Sequence, residues 1–182
     1  APGIDTDFAQ MARAGVDHLS ELGHRRIVAL MRETASDDAH ARQDQARELL
    51  RAAQDLEVEV LVRQVPEAAL AGAEIVGAGG LIEGCSAVLS NNPAAVVGLA
   101  CAAQAHGLSV PADLSVLTLG ITQGNGRHGE AFSELSVDRG AMGAEAGSLL
   151  LRCLRGEPDP AQHRGLMPAV LTDRGTTALC RS

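Results

Sequence analysis

Four groups of side chains in this sequence carry the means for chemistry or selective binding. Cys85, Cys101, Cys153 and Cys180 lie far apart, with no CxxC pair and no histidine at zinc-ligand spacing. They read as buried reduced thiols, and no metal site is expected. His24 stands alone at the end of an apolar-periodic segment, where an imidazole more often serves the helix C-terminal dipole or a backbone carbonyl than a substrate. Arg42 falls in the first turns of another such segment. A cation there opposes the macrodipole, so either water solvates it or an anion or polar ligand compensates it. Asn91 and Asn92 follow a short apolar run and precede Pro93. Asn92 is either a helix cap and nothing more, or an amide offering both a donor and an acceptor to a guest.

Catalytic and cofactor patterns are missing from the sequence. It has no nucleophile elbow, no paired-carboxylate motif and no metal motif, so an enzyme is not expected. Gly72, Gly77, Gly79 and Gly80 form a glycine-rich stretch, but no GxGxxG follows a strand. No Gly-Lys-Ser/Thr loop is possible either, because the chain has no lysine. No cofactor is expected.

The elements that must position these residues are organised around the stretch from Cys85 to Gly120. Ser86 to Ser90 is an apolar run, Asn92 and Pro93 open a helix, Gly107 closes it, and Leu114 to Leu119 is a second apolar run. Asn is a preferred N-cap, Pro fits the first helical position, and Gly supplies the left-handed residue past the last turn. The two runs suit a parallel sheet covered on both faces. Upstream, Asp5, Thr6 and Asp7 are cap candidates for a helix whose apolar face holds Phe8, Met11, Ala12, Gly15, Leu19 and Leu22. Gly23 ends it, and Ile27 to Met31 reads as a strand. Ser36, Asp37 and Asp38 are caps for the helix buried through Ala46, Leu49, Leu50 and Ala53. Val58 to Val65 reads as a strand, and Pro66 opens the glycine-rich, least regular segment. After Leu119 comes the polar loop Ile121 to Gly129. Leu135 to Val137 reads as a strand, and Met142, Ala146, Leu149, Leu150 and Cys153 give the cleanest helical stripe. The last strand is Leu166 to Leu171.

Composition narrows the classes further. A chain of 182 residues buries a real core, and with only two aromatic residues, Phe8 and Phe132, that core is aliphatic. The net charge of −8, from 15 cations against 23 acids, argues against this segment gripping a phosphate backbone by itself. No apolar stretch is long enough to span a bilayer and no signal peptide opens the sequence, so a cytoplasmic location is expected.

Three phrases carry a resemblance: VDHLSELGHRRIVAL from Val16 to Leu30, the Ser-Asn-Asn helix followed by GLSVPADLSVL, and Asp173-Arg174-Gly175-Thr176-Thr177. In this wording the chain resembles the effector-binding domain of the LacI/GalR family of transcriptional regulators. The resemblance implies an α/β fold, a parallel-sheet αβα sandwich of the type I periplasmic-binding-protein kind, with two lobes joined by strand crossovers and the first incomplete. It assigns residues 1–36 and 133–160 to the partial N-terminal lobe and 37–132 and 161–182 to the C-terminal lobe. No DNA-binding domain is expected in the chain, whose front is missing relative to the family. Function follows as an expectation: sensing of a small polar effector, sugar or nucleoside-like, by a homodimer that reaches operator DNA through a segment absent here. A periplasmic sugar-binding protein of the same fold is the alternative.

By matching positions, Arg42 and Asn92 are the best effector contacts, with Asn91 and Gln123 as further candidates. Arg42→Ala and Asn92→Ala should then abolish ligand response while leaving the unliganded melt nearly intact. Where the family has acids in its cleft, this chain has Gly120 and Pro93, so sugar specificity is not carried over.

Overall fold

A computed structural model describes residues 2–33, 39–76, 82, 84–120, 132–157 and 164–181, and for 39–44 the backbone alone. Gln123, the caps expected at residues 36–38 and the loop 121–129 lie outside the described residues, as does the side chain of Arg42.

Six strands form the main sheet: β2 (Arg26–Arg32), β3 (Glu59–Val65), β4 (Ala87–Ser90), β5 (Ser115–Leu119), β6 (Ser133–Ser136) and β8 (Val170–Thr172). Their order is β3-β2-β4-β5-β6-β8, all parallel except the β6–β8 pair. The expected strands covered on both faces are seen: every residue of β4 and β5 is buried. Alternate residues serve two cores. Ile27, Ala29 and Met31 of β2 join Met11, Val16 and Leu19 of α1 (Phe8–Glu21) and Leu49 of α2 (Ala39–Asp55). Val28 and Leu30 face the other way, toward Val96 and Leu99 of α4 (Pro93–Ala105) and Ile75 beyond α3 (Ala69–Ala73). This double covering makes the strands continuous apolar runs.

A second, two-stranded sheet pairs β1 (Gly3–Thr6) with β7 (Arg164–Met167) in parallel. Helix α5 (Arg139–Leu154) packs on β1. The chain passes between ribbon and main sheet at Asp7, at Val137–Asp138 and at Pro168–Ala169. Gln10 pins the last crossing, because its amide donates to the Ala169 carbonyl and accepts from the Ala169 N–H.

This pairing divides the chain differently from the expected lobes. β2 and β6, both assigned to the partial N-terminal lobe, lie inside the main sheet, while β7, assigned to the other, belongs to the ribbon. The cause is physical: β2 is apolar on both faces and pairs on both edges. The stripe expected on α5 is also not a buried one. Of its residues only Leu149 is buried, and Leu150, Leu151 and Leu154 are exposed. The thiols differ as well, since Cys101 is exposed and the other three are half-buried, with no disulfide among them.

His24, 2% exposed, holds the N-terminal edge of the sheet together, consistent with its expected structural role. Its Nε2 lies 3.0 Å from the Ala178 carbonyl and so carries the proton, leaving Nδ1 to accept from the Ser86 hydroxyl at 2.7 Å. Burial pushes this imidazole below its ordinary value of 6.5, outweighing the opposing pull of the Ala178 carbonyl. A lowered folded value means that the unfolded chain takes up the proton first as pH falls. The stabilisation is therefore complete above pH 6.5 and lost below it. Urea midpoints measured between pH 7.5 and pH 5 should fall less steeply in His24→Gln than in the natural chain, and equal slopes would contradict this role.

Candidate functional site

Ligand sites of open parallel sheets lie outside the carboxyl ends of the strands. Here that edge is formed by Arg32 at the end of β2, Asn91 after β4 and Gly120 after β5.

The two asparagines divide the work. Asn92 is fully buried. Its Oδ1 accepts the Ala95 N–H at 3.2 Å, and its Nδ2 donates to the carbonyls of Val65 and Pro66 at 3.3 and 2.9 Å. With Pro93 at the first helical position, residue 92 must be the cap, and its amide is spent tying the end of β3 to the start of α4. Asn92→Ala is therefore not neutral to the unliganded fold. Asn91 is half-buried and faces the edge. It accepts the Arg32 N–H and donates to Gln45 Oε1 at 2.9 Å. Gln45 in turn donates to the Met11 sulfur at 3.7 Å. A polar chain thus runs along the edge from β2 to α1. Arg42 lies three residues before Gln45 on α2, one turn closer to the helix N-terminus.

Met11 leads into a hollow of about 680 Å³ between this edge and the ribbon. Phe8 and Met11 supply apolar wall, while Thr6, Ser136 and Thr172 supply hydroxyls. Asp138 and Arg139, at the start of α5, supply the charges. Gly120 closes the wall at β5 with φ +64, a left-handed conformation that explains glycine where a carboxylate was looked for. The volume suits a small organic molecule. The hollow brings together residues that sequence reasoning did not select, because the β1–β7 pairing that builds it joins segments about 160 positions apart.

A family model of the periplasmic binding protein-like domain matches residues 16–177. The chain belongs to the periplasmic binding protein-like domain family. Among solved structures, this periplasmic binding protein-like domain is similar to a LacI family transcriptional regulator from Bifidobacterium animalis subsp. lactis, with TM-score 0.80 and 19% identity over 98% of this chain and 69% of that one. It is similar to a LacI family regulator from Enterococcus faecium with bound ribose, with TM-score 0.74 and 19% identity over 100% and 67%. It is also similar to the dimeric Lac repressor with an 11-residue C-terminal deletion, with TM-score 0.80 and 24% identity over 98% and 64%. At these identities the likeness is one of fold. No curated protein sequence matches the domain.

Proposed function

We propose that the chain is the ligand-sensing domain of a LacI-type transcriptional regulator, binding a small polar effector in the hollow between ribbon and main sheet. The observation that carries this is the hollow of about 680 Å³, placed where three chain crossings connect the two parts. A guest touching both parts favours the arrangement in which it touches both, and its effect equals its difference in affinity between the arrangements. Arg42 and Asn91 are the contacts we assign at the sheet edge. Asn92 holds the loop that presents Asn91, and Gln123 is a further contact proposed from the family resemblance. Dimerisation and control of operator DNA belong to the same reading: with a net charge of −8, the domain acts on DNA through an attached head and not by its own surface. Binding without turnover is assigned to the site.

A ligand that binds only the native state raises its melting temperature by mass action. A thermal-shift panel of sugars, nucleosides and organic acids should give at least one saturable rise. Melting that no member of the panel moves would overturn the reading.

A further inference from the structure

We propose that the molecule taken up by the hollow carries an anionic oxygen group, a carboxylate or a phosphate, gripped by Arg139. This rests on the reading of the hollow as a ligand site and adds the chemistry of its ligand.

Arg139 is the first residue of α5, is exposed and lines the hollow. Among the described residues it has neither an ion-pair nor a hydrogen-bond partner. A cation at this position faces the positive end of the helix dipole, the least favourable place for it on the helix. The adjacent acid makes no ion pair with it, and Asp138 Oδ1 is turned to the helix, which it caps through the Ala141 N–H at 2.9 Å.

Among the described residues, the rest of the wall is short of strong acceptors. Gly120 presents no side chain, and Thr6, Ser136 and Thr172 are neutral hydroxyls able to donate. A polyhydroxylated neutral guest would find one charged acceptor among the described residues, Asp138. An anion would find a planar fork of donors with hydroxyls beside it, and its carbon skeleton would lie on Phe8 and Met11. The overall charge of −8 repels anions at long range, but salt screens that field beyond roughly 10 Å at 0.1 M, so the short-range fork decides.

Isothermal titration of the full chain at constant ionic strength tests this, with succinate, citrate, inorganic phosphate, ribose 5-phosphate and ribose as probes. At least one anionic probe should bind and ribose should not. Succinate and citrate against phosphate and ribose 5-phosphate distinguish the carboxylate from the phosphate source. Arg139→Gln should weaken binding about tenfold to a hundredfold. Arg139→Lys should fall between, because an ammonium keeps the charge without the fork. The unliganded melting temperature of both variants should not drop. Ribose binding that survives Arg139→Gln, or anion binding equal in the natural chain and Arg139→Gln, would overturn the inference and leave the hollow a ligand site. Binding of none of the probes, together with a flat thermal-shift panel, would overturn both.

Discussion

Replacing Gly98 by alanine is expected to destabilise the chain by about 3 kcal/mol, at the upper end of what overpacking usually costs. Helices α3 and α4 touch backbone to backbone. A Cβ at Gly98 would overlap the Ala69 carbonyl, and one at Gly72 would overlap the Ala95 carbonyl. Neither obstacle is the end of a flexible side chain, so one helix must move, and α4 is wedged between α3 and the sheet through Val96 and Leu99. Gly143 on α5 is the control, since a Cβ there meets nothing within 4 Å. Gly143→Ala should stabilise by about 0.5–1 kcal/mol, because alanine is the better helix former. Urea unfolding of the two variants should shift in opposite directions. A Gly98→Ala midpoint within error of the natural chain would mean that the helices do not meet in this way.

Asn92→Ala is expected to cost about 2 kcal/mol, or about 4–8 °C in melting temperature for a domain of this size. The lost cap accounts for roughly 1 kcal/mol. The carbonyls of Val65 and Pro66 lose the side-chain donor but keep the backbone N–H groups of Glu33 and Ala68, so the two lost bonds add no more than about 1 kcal/mol. Asn92→Asp should be worse than Asn92→Ser, although Asp caps well, because it turns a negative oxygen toward two carbonyls. Differential scanning calorimetry measures the series. An Asn92→Ala melt unchanged from the natural chain would return the residue to the role of a free ligand contact.

Asn92 also shows where the sequence was legible. Pro93 at the first helical position already marks residue 92 as the cap, and Gly107 marks the end of the same helix. Local signals of this kind also placed α1, with its cap Asp7 among the three candidates, and the strands on either side of α4. Contacts distant in sequence were not legible. β1 is four residues, Gly-Ile-Asp-Thr, with no apolar run, and it becomes a strand only because β7 pairs with it from the far end of the chain. Without that pairing nothing in the sequence draws Thr6, Ser136, Arg139 and Thr172 around one hollow. The stripe on α5 misled for a related reason: periodicity shows that a helix has an apolar side, but not what lies against it. Pro168 likewise divided the expected last strand into β7 and β8, which belong to different sheets.

The most direct test of the ligand-sensing account is to watch the wall of the hollow itself. With methionine methyl groups labelled in carbon-13, the resonance of Met11, identified by its absence in Met11→Leu, should move saturably on titration with the anionic probes. Met31, 2% exposed in the sheet and not among the described lining residues, should move less than Met11. A Met11 resonance that stays fixed while the protein binds a probe would contradict the account, because the ligand would then be held elsewhere on the molecule.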